Sequence, residues 1–167
     1  WGSTNVNLHL LRYRLPLVKG HFYIENGLSV AWNQYRFNNN FEIDTEADKF
    51  TTIPLDGEYK KNKLKTTALE MPLLLTIVPG KKQSRYLSVG AYGGFMVGAK
   101  QKLVDGEGDK TIIKDDFNLN KVYYGLEGRL GLGPISLYAK YSLQNLFKDG
   151  QGPELAPISV GLTLVNF

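Results

Sequence analysis

The side chains able to do chemistry in this chain of 167 residues are few, and their spacing limits what they can do. Cysteine is absent, so there is no thiol nucleophile, no disulfide framework and no thiolate metal site. Histidine occurs at His9, in the first extended segment, and at His21, beside a turn. A hydrolytic or acyl-transfer site would need a nucleophile within hydrogen-bond reach of one of them. The pattern sets none beside His9, so no catalytic residue is expected. Asp105-Gly106-Glu107-Gly108-Asp109 has carboxylates at alternate positions but lacks the remaining ligand spacing and closing glutamate of a calcium loop, and it reads as a solvated loop tip. Gly131-Leu132-Gly133 is a turn with no helix behind it to hold phosphate. No cofactor and no metal are expected.

One constellation remains: Glu25, Glu70, Glu127, Arg129 and Lys140, all on the polar faces of extended segments. An unpaired charge enclosed away from water costs several kcal/mol, so such groups must pair if they share an interior. The expectation is a salt-bridge network that fixes strand register and fills the interior; the competing reading puts some of them near strand ends, solvated.

The elements that would position these charges are strands, marked by period-two alternation along most of the chain. Leu87, Val89, Ala91, Gly93, Phe95 and Val97 alternate with Ser88, Gly90, Tyr92, Gly94, Met96 and Gly98. Val122, Tyr124, Leu126, Leu130 and Leu132 alternate with Tyr123, Gly125, Glu127, Arg129 and Gly131; Ile135 to Leu143 does the same against Ser136, Tyr138, Lys140 and Ser142. Further strands read at about Phe22 to Phe37, Leu64 to Ile77 and from Pro157 onward, and near Asn5 to Leu15, where the phase blurs after Leu11. No run approaches the roughly 18 apolar residues of a membrane-spanning helix.

Connections alternate between short (Pro16 to Gly20, Pro79 to Ser84, Gly133-Pro134) and long (Asn38 to Lys61, Gln101 to Asn118, Phe147 to Leu155). Outer-membrane barrels have this asymmetry. The polar strand faces are mostly Gly, Ser, Thr, Ala and Tyr, which suits a narrow packed lumen with lipid outside better than a water-facing surface. The fold class expected is all-β: one antiparallel up-and-down transmembrane β-barrel over residues 1–167. Seven strands are visible and bacterial single-chain barrels have even numbers, so an eighth strand is expected ahead of Trp1. The N-terminus lacks the parts of a signal peptide, so an exported form would be mature or truncated here. The net charge of +4 is spread among acids without a basic stripe, so nucleic acid is not an expected partner.

The stretches TTALEMPLLL (Thr66 to Leu75), SVGAYGGFMVGAK (Ser88 to Lys100), DDFNLNKVYYGLEGRLGLGPISLYAKYSLQNLFKDG (Asp115 to Gly150) and ISVGLTL (Ile158 to Leu164) resemble the small outer-membrane β-barrel family common in Bacteroidota, with its PorT-like and OmpX-like members. The resemblance covers roughly the C-terminal two thirds and implies a barrel in the bacterial outer membrane, with lipid as its surroundings. It also raises secretion or envelope assembly as the setting. The terminal Phe167 resembles the assembly signal of such barrels, although it is out of phase with Ile158, Val160, Leu162 and Leu164. The function expected is a non-enzymatic, plugged barrel acting as a structural or accessory subunit, with other outer-membrane proteins as partners through its loops or wall. A lipid-modifying enzyme or a small pore is the alternative.

Overall fold

In a computed structural model the chain is described over residues 4–18, 20–37, 41–44, 51–54, 59–80, 85–133, 135–151 and 154–164. Phe167 lies outside these residues, as does Pro134. Among the described residues seven long strands make the wall: β1 (Thr4–Val18), β2 (Phe22–Phe37), β5 (Tyr59–Ile77), β6 (Arg85–Asp105), β8 (Val122–Leu132), β9 (Ile135–Ser142) and β10 (Ile158–Leu164). Three short strands, β3 (Phe41–Ile43), β4 (Thr52–Pro54) and β7 (Lys110–Lys114), lie at the long-loop end. Each wall strand pairs antiparallel with the next, in the order β1-β2-β5-β6-β8-β9-β10. Among the described residues no helix is long and apolar enough to cross a membrane.

The alternation becomes two unlike faces. Outward stand Leu8, Leu73, Val89, Leu126, Leu137 and Val160, and several of these side chains are more than half exposed; Val160 is at 73%. A contiguous apolar wall of this extent marks a surface that meets lipid or a partner. Inward stand Glu25, Ser29, Ala31, Thr66, Ala68, Glu70, Ser88 and Lys140, all buried.

Space for the large inward rings comes from the strand opposite. The ladders set Tyr86 against Gly131, Tyr92 against Gly125, Tyr123 against Gly94 and Tyr138 against Gly161. Tyr86 lies where a Cβ on Gly131 would be, and Tyr123 occupies the same space at Gly94. The plentiful glycine and tyrosine are therefore one device, an aromatic ring covering a bare backbone across the ladder.

Irregularities explain where the sequence pattern fails. In β1 the register with β2 shifts between His9 and Leu11, so Leu10 and Leu11 both face outward and the inward set moves from odd to even positions. That bulge turns Arg12 and Arg14 into the lumen. In β6 a second shift, at Val97, changes the inward set from Met96 and below to Ala99, Gln101 and Leu103. Pro72, which has no N–H to donate, faces a gap in the β2–β5 ladder at Gly27 and Leu28, while its β6 side pairs with Tyr92.

The long connections are more structured than expected. β5 begins at Tyr59 and β6 runs to Asp105, so the wall continues past the apolar band, and β7 pairs back on β6 from Lys100 to Val104. Asp105 closes this hairpin: its Oδ1 accepts from the backbone N–H groups of Glu107, Gly108 and Asp109 at 3.0, 2.8 and 2.9 Å. Both strand extensions were expected as loop. They escape the pattern because the outward face turns from apolar to lysine just where β6 bulges.

β1 and β10 are the two edges of the sheet and run in the same direction, toward the short turns. Their Cα atoms come within 8 Å of one another, and the Tyr138 hydroxyl on β9 donates to Asn5 on β1. Among the described residues no ladder joins them. A strand seated between β1 and β10 needs two spacings of about 4.8 Å, so the eighth strand expected from the strand count would have to part this seam.

Candidate functional site

The lumen is the site where charge, burial and geometry converge. β2 supplies Glu25, β5 Glu70, β8 Glu127 and Arg129, and β9 Lys140; all five point inward and are buried. Arg129 links two strands, its Nη1 2.9 Å from Glu25 Oε1 and its Nε 2.5 Å from Glu127 Oε1. Lys140 pairs with Glu70 and lies 3.9 Å from Glu127 Oε2. The five expected residues therefore form one chain of ion pairs across the barrel, Glu25-Arg129-Glu127-Lys140-Glu70.

Two members were missing from the sequence reading. Arg12 and Arg14 reach the other oxygen of Glu25 at 2.8 and 3.0 Å and lie over the Tyr86 ring, 5.1 and 4.8 Å from its centroid. Their i, i+2 spacing is a same-face signal in a strand, but the Leu10 bulge hid which face. With them the interior holds three carboxylates and four cations. Glu25 is shared by three guanidinium groups and has no exposed side-chain surface. Its charge is tolerable in a narrow interior because both oxygens are charge-paired.

Around the ion pairs the lumen is packed. Toward the short turns, Thr76 and Ser88 share a buried hydrogen bond of 2.7 Å beside Val78 and Tyr86. Toward the long loops, the Tyr123 hydroxyl donates to Glu70 Oε1 at 2.8 Å, Lys140 lies 5.1 Å from the Tyr92 centroid, and Asn5 pairs with Asn33. Above this layer is a cavity of about 30 Å³ bordered by Glu70, Tyr92, Tyr123 and Asn120. Such a space suits a water rather than a solute.

A lid closes the long-loop end. Ile43, Leu64, Phe117, Leu119, Leu146 and Phe147 form a buried apolar cluster. Gln101, with no exposed surface, holds β3 in the mouth: its Oε1 accepts from the Ile43 N–H at 2.9 Å and its Nε2 donates to the Phe41 carbonyl at 3.0 Å. Asn120 fastens a second loop, its Nδ2 donating to the carbonyls of Asn145 and Phe147 at 2.8 Å each. Apart from Leu64, at the start of an expected strand, none of these lies in a segment that read as strand.

The two histidines lie on β1 and in the β1–β2 turn. His9 stands opposite Ser29 across the β1–β2 ladder, but the Ser29 hydroxyl donates to the Glu70 carbonyl at 3.3 Å, and no hydrogen bond joins it to His9. His21 lies at the β1–β2 turn, its N–H bonded to the Val18 carbonyl at 3.1 Å. Among the described residues no group of three or more His, Asp or Glu side chains is placed to hold a metal.

Residues 5–148 match the family described as outer membrane protein beta-barrel domain. Neither a curated protein nor a solved structure matches the chain. With an antiparallel up-and-down sheet, an apolar outer wall and a charge-paired lumen already in view, that match covers most of the wall and locates it in the bacterial outer membrane, its short turns periplasmic and its long loops extracellular. The chain belongs to the outer membrane protein beta-barrel domain family.

Proposed function

We propose that the protein is a non-enzymatic, sealed barrel that serves as a structural or accessory subunit of the envelope, within a larger secretion, assembly or transport complex. The observation that carries this reading is the filled lumen. Ion pairs cross it from β2 to β5 by way of β8 and β9, and the cavity directly above them has room for about one water, which favours a plug over an open channel. The Ser29 hydroxyl is engaged by the Glu70 carbonyl rather than by His9, which supports the non-enzymatic reading. Kinship with the PorT-like barrels of Bacteroidota, carried by the Gly-aromatic strands and the hairpin from Asp115 to Leu143, favours a setting in secretion or assembly.

The structured extracellular end is the contact surface this role requires, because it presents a fixed shape where surface loops are otherwise variable. The test is extraction of the native membrane in mild detergent, isolation of the protein, and identification by mass spectrometry of what accompanies it. Stoichiometric co-purifying proteins are expected. A lone monomer with steady, large single-channel conductance, or one that modifies lipid and loses that activity in His9→Ala, would replace this reading with the pore or the enzyme.

A further inference from the structure

The outward face of the wall changes character over one strand step at the extracellular end. On β5 it reads Ile77, Leu75, Leu73, Met71, Leu69 and Thr67, then Lys65 and Lys63; on β6 it reads from Leu87 to Val97 and, past the bulge, Lys100 and Lys102. A spanning strand takes about 9–11 residues to cross the hydrocarbon, and Thr67 to Ile77 is of that length. Lys65 and Lys100 are thus the first outward side chains at headgroup depth.

The ladders place these cations directly opposite one another. Lys65 faces Lys100, which on its other side faces Lys114; in the next row Arg36 faces Lys63, which faces Lys102. Beyond the cations the first row continues to Gln34 and Thr4 and the second to Ile112, and no carboxylate stands in either. Among the described residues no salt bridge involves Arg36, Lys65, Lys100, Lys102 or Lys114. The acids that follow β7 are engaged elsewhere: Asp115 Oδ1 accepts from the Asp116 N–H, and Asp116 lies 3.9 Å from both Lys121 and Lys148.

Like charges directly opposite across a ladder destabilise it, and an anion shared between the rows would relieve that repulsion. Between the top of β8 and the start of β7 the wall also has a notch beside β6, floored by Phe95 and Val97 and rimmed by Lys114 and Lys121, with Asp115 and Asp116 above.

We propose that Lys65, Lys100 and Lys114, backed by Arg36 and Lys102, form a binding face for the phosphate groups of an anionic glycolipid of the lipid A class in the outer leaflet. The apolar wall immediately beneath the rows favours an occupant that is itself anchored in the membrane. Phosphate geometry rather than generic attraction is implied, because the cations are held one ladder spacing apart by the register.

The full chain in phosphatidylcholine nanodiscs containing bis-phosphorylated lipid A, or its dephosphorylated form, tests this by native mass spectrometry of the retained lipid. Wild type is expected to retain the phosphorylated form, and the K65Q/K100Q/K114Q variant to lose about a hundredfold in affinity for it. Equal retention by the variant, equal retention of the dephosphorylated lipid, or displacement by millimolar inorganic phosphate would each overturn the proposal, the last by making it a site for free anion. Should the triple variant not fold, the urea midpoint of wild type decides: it must rise with added lipid A and not with the dephosphorylated lipid, and no rise overturns the proposal.

Discussion

The membrane band and the extracellular lid are one continuous sheet with opposite interiors. In the band, Glu25, Arg129 and Lys140 point inward and leucines outward; in the lid, Leu64, Leu103 and Phe117 are buried and lysines face out. β5 makes both within one strand: Leu64 and Glu70 share its inward face, while Lys65 and Leu69 share the outward one. The difference teaches where the driving force lies. Above the membrane, water outside drives apolar side chains inward. Within it, hydrocarbon offers leucine no penalty and charge no solvation, so charge retreats to the lumen and must neutralise itself there.

The largest expected break in this contrast is Arg129→Met. It leaves Glu25 with only Arg12 and Arg14, and Glu127 with Lys140 at 3.9 Å as its remaining cation. Removing one partner of a buried pair costs about 3–5 kcal/mol, so urea unfolding in detergent should show a loss of that order. A loss below about 1 kcal/mol would mean the lumen is wet and the charges are screened.

Leu119→Ala probes the lid. Leu119 is buried in the apolar cluster, and truncating such a leucine costs about 2–5 kcal/mol. The cost should be local: proteolysis and hydrogen exchange rise over the loops around Phe117 and Phe147, while the band keeps its heat-modifiable migration on gels. Collapse of both together would show that lid and band are a single cooperative unit.

Leu73→Arg and Ile112→Arg sharpen the comparison from outside. Both residues are outward and more than half exposed, but one is at mid-membrane depth and the other above it. Arginine at the midplane of a barrel costs about 2–4 kcal/mol, whereas at Ile112 the change should stay within about 0.5 kcal/mol. Equal effects would erase the proposed boundary between Thr67 and Lys65.

How much of this was legible follows from the same boundary. The inward positions of β8 and β9 could be read directly, because Glu127, Arg129 and Lys140 interrupt strands of otherwise unbroken phase, and the structure places all three in the lumen. The phase could not be carried through Leu10 or Val97, where an extra residue leaves no trace in composition. Arg12 and Arg14 were lost at the first bulge, and the upper half of β6 at the second. The lid was illegible for another reason. Gln101, Asn120 and Phe117 act through contacts between loops distant in sequence, and the inverted polarity of the lid, with lysine outside, reads as solvated loop when lipid-facing leucine is the template.

A single-residue deletion at Val97 tests whether the bulge is the hinge between the two polarities. Thr67 pairs with Gly98 and Ala68 with Met96, so Val97 is the residue without a partner. Its removal restores plain alternation: Met96 stays inward, Gly98 outward and Ala99 inward, and the folded barrel should remain within about 1 kcal/mol of wild type. Deleting Ala91 removes the same mass from the middle of the band but leaves no slack until the bulge. Tyr92 would then turn to lipid and away from its place opposite Gly125, and Phe95 would enter the lumen. Because a one-residue slip exchanges the faces of a strand, this second variant should fail to reach the heat-modifiable state at all. If both deletions assemble equally well, register in β6 is not set by the lumen, and the ion pairs and Tyr-Gly contacts follow the fold rather than specify it.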